Sequence, residues 1–149
     1  MYRKLLVPLD GSKRAEAILP HAEALAKSFG AKVVFFYVEE PPIMLEFDEV
    51  VDQEKLMNSI TSQRKEIQNY FDTIVGQWRA KDMDAEIRYS RGPIVKSIID
   101  MAQLEQADLV AMASHGRSGL GRAFYGSVAA GVLQLIDRPL LLIRSRSEK

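Results

Sequence analysis

Apolar residues along this chain fall into two recurring arrangements, short continuous runs and helix-spaced stripes. Leu5-Leu6-Val7-Pro8-Leu9 is a run of strand length, closed by the turn residues Asp10-Gly11-Ser12. Proline cannot donate to a sheet ladder, so Pro8 is expected at the very end of that strand. A stripe follows in which Ile18, Ala22, Leu25 and Phe29 recur at helical spacing. Ser12 is a candidate cap for this helix and Gly30 its natural C-terminal stop. Lys32-Val33-Val34-Phe35-Phe36-Tyr37-Val38 is β-branched and aromatic, the composition of a strand buried on both faces.

The alternation continues to the end of the chain. Residues 39–52, with Pro41-Pro42, read as a long loop. Ile67, Phe71, Ile74 and Trp78 form a second helical stripe that extends back through Leu56 and Ile60, with Trp78 a packing residue rather than a base-stacking platform. Residues 84–90 set Ala85, Ile87 and Tyr89 against Glu86 and Arg88, a more exposed strand. Gly92-Pro93 opens a third helix, with Pro93 at the first helical position and Ile94 or Val95, Ile98 and Ala102 inward. Leu109–Ala113 is a fourth strand, and residues 114–125 a loop rich in Gly and Arg. Gly126-Ser127 begins a fourth helix with Val128, Val132 and Leu135 inward, stopped by Arg138-Pro139. Leu140–Ile143 is a fifth strand, and residues 144–149 a polar tail. Strands alternating with helices predict an α/β fold, an open five-stranded parallel sheet with helices on both faces; its strand order is taken to be 3-2-1-4-5. With no internal repeat or linker, residues 1–149 are expected to form a single domain.

Composition narrows the function. The 149 residues are 47% hydrophobic and 27% charged, a globular balance with enough chain for a substantial core. The 20 basic and 20 acidic residues cancel, which argues against sequence-independent nucleic-acid binding but leaves room for a local anion site. There is no cysteine, hence no disulfide, thiolate metal site or cysteine nucleophile. No apolar run reaches the roughly 20 residues of a membrane span, and the N-terminus lacks a signal-peptide h-region, so a cytoplasmic protein without membrane partners is expected.

In open parallel sheets ligands sit outside the carboxyl ends of the strands where strand order reverses. Two strand ends here carry unusual chemistry: Pro8, Leu9 and Asp10 after the first strand, and Met112, Ala113, Ser114, His115 and Gly116 at the fourth. In the predicted order these strands are neighbours. Gly126-Ser127 then opens a helix whose unpaired N–H groups form an anion site. Asp10 would accept hydrogen bonds from ribose hydroxyls or hold a metal, Ser127 would cap the helix or bind a phosphate oxygen, and the backbone near Val38 would face a base. No Walker A string is present, no Gly-x-Gly-x-x-Gly follows the first strand, and the third strand does not end in the Asp of a phosphoacceptor domain. His115 reads as a loop residue making local hydrogen bonds, Arg117 and Arg122 as solvated cations, and Gly119 and Gly121 as sources of loop freedom.

These residues resemble the universal stress protein family, whose nucleotide-binding members carry Gly-x2-Gly-x9-Gly-Ser/Thr after the fourth strand. Gly116, the nine residues after it and Gly126-Ser127 match that pattern; its first glycine falls on Ala113, a departure. The similarity also covers Val7-Pro8-Leu9-Asp10-Gly11-Ser12, Val38-Glu39, Gly92-Pro93 and Arg138-Pro139-Leu140-Leu141-Leu142-Ile143. The resemblance implies a stress-response regulatory module binding ATP, or ADP or AMP, with Mg2+ or Mn2+. Asp10 would contact ribose, the Val38 backbone adenine, and Gly116, Gly126, Ser127 and Val128 the phosphates. It also implies a homodimer joined through Leu140–Ile143, an edge strand with no charge or proline inside it. A slow ATPase or phosphotransferase and a nucleotide-free interaction module stay open as alternatives.

Overall fold

A computed structural model of the chain describes residues 1–41, 53–114 and 126–145. The strands are β1 (Lys4–Pro8), β2 (Lys32–Glu39), β3 (Ala85–Arg91), β4 (Leu109–Ala113) and β5 (Leu140–Ile143). The helices are α1 (Leu19–Phe29), α2 (Gln53–Ala80), α3 (Ile94–Leu104) and α4 (Ser127–Leu135), with a 3-10 turn, Ala15–Ile18, leading into α1. The strands form one parallel sheet, as the alternation of elements predicts, and its order is the expected β3-β2-β1-β4-β5.

The pleat sends successive side chains to opposite faces, and each face has its own core. Leu5, Val7, Val33, Phe35, Leu109 and Ala111 pack with Ile18, Ala22, Phe71 and Trp78 from the 3-10 turn, α1 and α2. Phe35 and Trp78 meet edge to face at 5.2 Å. Leu6, Val34, Phe36, Val110 and Met112 pack with Ile98, Ala102, Ala129 and Val132 from α3 and α4.

Two inward assignments from the helical stripes are corrected. Phe29 is 43% exposed; its ring meets Tyr2 edge to face at 5.1 Å and lines a groove beside β5. Leu135 is 62% exposed, while α4 buries Val132, as expected, and Ala129. Pro93 is the N-cap rather than the first helical residue; its extended backbone (ψ 133°) precedes Ile94 and its carbonyl accepts the Ser97 N–H. The Ser12 hydroxyl accepts the Ala15 N–H at 3.2 Å, so it caps the 3-10 turn rather than an α-helix. Gly30 ends α1 in the left-handed conformation (φ 61°), as expected. The predicted loop at residues 39–52 lies almost entirely outside the described residues, as does most of the one at 114–125.

α2 extends well past the sheet. Its 28 residues span about 42 Å, against about 26 Å for β2, the longest strand. The buried residues Phe71, Ile74, Val75 and Trp78 all lie in its C-terminal half, so the surplus length projects past the carboxyl ends of the strands.

The opposite end of the sheet is tied by Asp108. One carboxylate oxygen accepts the N–H groups of Arg3 at 2.7 Å and Lys4 at 2.9 Å, fixing the start of β1 to the turn before β4. The Arg3 N–H first, then the Lys4 N–H, hold the Asp108 carboxyl below its usual range against the opposing cost of burial. A depressed carboxyl stabilises the fold above its unfolded value, and that contribution disappears as pH falls through the folded one. Asp108→Ala should therefore cost about 1–2 kcal/mol in urea unfolding at pH 7. The gap from the unsubstituted protein should shrink below about pH 4. A gap that does not depend on pH would mean the carboxylate's charge plays no part.

Candidate functional site

β1 and β4 are neighbours, paired through Leu5 with Leu109 and Leu6 with Val110. The ladder stops there, although both strands run on. The Lys4 carbonyl accepts from Asp108 at the β4 side, and the Leu9 N–H donates to Phe36 on β2. Backbone groups alternate sides along a strand, so Pro8 belongs with Lys4 and faces β4. Its missing N–H is the one that would have continued the β1–β4 ladder.

Beyond this break lies a cavity of about 520 Å³, within the usual range of small-molecule sites. Pro8, Leu9 and Asp10 line it from β1, Val38 from β2, Met112, Ala113 and Ser114 from β4, and Gly126, Ser127 and Val128 from the start of α4. The two special strand ends and the helix start named from sequence thus share one space. The other two candidates, His115 and Gly116, lie outside the described residues, as do Arg117, Gly119, Gly121 and Arg122.

The two ends of the cavity differ in chemistry. At one end, Asp10 accepts the Ser12 N–H at 2.9 Å through one carboxylate oxygen, which sets its side chain in a local turn. Tyr70 lies within reach of Asp10's charge; burial pushes its phenol well above its usual value, and the carboxylates of Glu16 and Asp10 add to this, so the hydroxyl stays protonated. Glu39 and Glu40 line the same side. Glu39 is countered by Arg64 at 3.1 Å and Arg91 at 3.5 Å.

At the other end, the Ser114 N–H donates to Ile143 at 2.8 Å and its carbonyl accepts the Gly126 N–H, tying the tip of β4 to the start of α4. The Ser114 side chain is 3% exposed, and its hydroxyl has no partner among the described residues. An unpaired buried hydroxyl costs about 1–3 kcal/mol, and Ser114 is a lining residue of the cavity, beside the N-terminus of α4. The N-cap of α4 is Gly126, with no side-chain cap among the described residues, and the helix starts at this end of the cavity with its first N–H groups lacking intrahelical acceptors. A polar, oxygen-rich ligand group fits there.

Sequence reasoning missed several lining residues. Ile60 and Gln63 come from the overhanging half of α2, and Ile94 and Ile98 from α3; Ala15, Tyr37, Glu39, Glu40 and Ala129 complete the list. Glu39 and Glu40 are adjacent carboxylates, and Glu39 stands in the Val38-Glu39 match; the others belong to no glycine or carboxylate motif. Among the described residues no three His, Cys, Asp or Glu side chains converge to hold a metal ion.

The profile described as the universal stress protein family matches residues 1–144. Universal stress protein MJ0531 of Methanocaldococcus jannaschii is 26% identical over 144 residues, covering 97% of this chain and 83% of the relative. Universal stress protein YxiE of Bacillus subtilis is 28% identical over 148 residues, covering 97% and 100%. Solved structures share the fold. That of protein MJ0577 matches with a TM-score of 0.82 at 24% identity over 99% of both chains. A universal stress protein in complex with cAMP matches with a TM-score of 0.64 at 20% identity, covering 97% and 98%.

Proposed function

This chain belongs to the universal stress protein family, and from that premise we propose that it is a regulatory module binding ATP, or the related ADP or AMP, in the cavity at the β1 and β4 ends. The observation that carries this reading is the Ser114 hydroxyl, buried, without a partner among the described residues, and set beside the open N-terminus of α4. A phosphate oxygen supplies the missing acceptor and meets the partial positive charge of the helix end. Ser127 adds a second hydroxyl at the same end. Asp10 suits ribose hydroxyls, and Val38 presents backbone to the base. That another family member is in complex with cAMP supports an adenine nucleotide as the ligand class. Mg2+ or Mn2+ enters with the phosphates as their counterion. Ala113 places one methyl where the nucleotide-binding pattern has glycine, and its small size is compatible with a ligand beside it.

Isothermal titration should give a micromolar dissociation constant for ATP with magnesium, roughly −8 kcal/mol. Gly126→Val should abolish binding, since its side chain would project at the phosphate end; equal affinity in that variant refutes the site. Ser114→Ala should weaken ATP about tenfold while leaving the free protein as stable as before or about 1 kcal/mol more so, because the unpaired hydroxyl is gone.

We further propose that the active form is a homodimer joined through β5. This edge strand carries Leu140, Leu141, Leu142 and Ile143, all half-buried. A groove of about 630 Å³ beside it is lined by Tyr2, Leu25, Phe29, Leu140 and Leu141. Pro139 and Ile143 turn their carbonyls toward β4, accepting from Val110 and Ser114, so the intervening pleat points the Leu142 N–H outward. Leu142→Pro removes that outward donor and none facing β4. Light scattering after size exclusion should show a dimer for the unsubstituted protein and a monomer for Leu142→Pro. A monomeric unsubstituted protein at tens of micromolar would overturn the dimer.

A further inference from the structure

Gly131 sits in the middle of α4, where glycine costs about 1 kcal/mol relative to alanine and nothing about the backbone requires it. Packing supplies the reason. A Cβ at this position would lie 2.7 Å from one methyl of Val95 on α3, 3.2 Å from the other and 3.5 Å from the Val95 Cβ. Carbon atoms in contact sit about 3.5–4.0 Å apart. A β-branched side chain in a helix is nearly confined to one rotamer, and here both methyls face the site, so Val95 cannot turn away. An alanine at 131 would therefore have to push α4 and α3 apart by something near 1 Å.

That spacing matters because both helices border the nucleotide cavity. α3 contributes Ile94 and Ile98, next to Val95 in its first turns. α4 contributes Ser127 and Val128, one helical turn before Gly131. A hydrogen bond has a working range of only about half an ångström, so a shift of this size at the start of α4 would break contacts to a phosphate. Resting on the adenine-nucleotide reading above, we infer that Gly131 is a positioning residue, which with Val95 sets the α3–α4 distance and so aims the N-terminus of α4 at the phosphate end of the ligand.

The contact acts on the phosphate end and leaves the Asp10 and Val38 end alone, so the test compares ATP with adenosine. Gly131→Ala should weaken ATP about tenfold or more and leave adenosine affinity unchanged. Val95→Ala combined with Gly131→Ala should restore ATP binding, since the smaller α3 residue makes room for the added methyl. Alanine is the better helix former, so the double variant should also melt at least as high as Val95→Ala alone, which separates a shifted helix from a damaged fold. The inference is overturned if Gly131→Ala binds ATP as the unsubstituted protein does, if ATP and adenosine weaken together, or if Val95→Ala gives no rescue. An unsubstituted protein that binds neither probe overturns the nucleotide reading itself, and this inference with it.

Discussion

Pro8 has no N–H, and it lies on the side of β1 that faces β4. The other arrangements at the site follow from that gap. β1 is the central strand, paired with β2 along its whole length but with β4 only through Leu5 and Leu6. Where the ladder stops, the ends of the two strands are free to separate. Their connections also leave in different directions, because the chain after β1 goes to the α1 and α2 face while the chain after β4 goes to α4 on the other. Space therefore opens where backbone donors and acceptors are no longer used up by the sheet. The Asp108 carboxylate pins the other ends of the same strands, so the opening is confined to the carboxyl side.

Much of this was legible in the chain. Strand runs such as Val33-Val34-Phe35-Phe36 are short and apolar throughout, and only a sheet covered on both faces buries them. That constraint, with the alternation of helices, gives a parallel sheet covered on both faces, and Gly126-Ser127 marked the end of α4 that faces the cavity. The inward assignments of Phe29 and Leu135 failed for a shared reason. Both are the last residue of their helix, and periodicity records a residue's angle around the axis, not how much packs against that turn. Ile60, Gln63, Ile94 and Ile98 were illegible as site residues because they bring shape rather than reactive groups. The Gly131 and Val95 contact joins residues on two helices far apart in the chain, which no local pattern reports.

The two edges of the sheet are protected unequally. On β3, Glu86 pairs with Lys32 and Arg88, and Arg88 reaches Glu105, which also holds Lys4. The Lys32 ammonium is the main reason the Glu86 carboxyl stays below its usual range. Each half-exposed pair contributes little stability on its own. Their position is the more telling feature, because charges along an edge discourage another strand from adding there. β5 itself carries only the aliphatic residues Leu140, Leu141, Leu142 and Ile143. That inequality between the edges is what the proposed pairing through β5 rests on, since association through one edge alone closes as a pair.

The length of α2 links the fold to the polarity of the cavity. A helix that only covered β2 and β3 would end near Ile67, and Glu39 would then face the ligand space with Arg91 as its cation. The extra turns bring Arg64 to 3.1 Å from Glu39 and set Ile60 and Gln63 as a wall. Glu39 is thus countered from two sides, and Asp10 and the exposed Glu40 add their carboxylates at that end, opposite the positive end of α4. A ligand with hydroxyls at one end and phosphates at the other matches both ends at once. One carrying phosphate at the Asp10 end would meet like charge there and leave Ser114 unpaired. For the nucleotide proposed above, these two ends would set the direction in which it lies, and the wall beside the Asp10 end comes from a helix extension that carries no binding motif of its own.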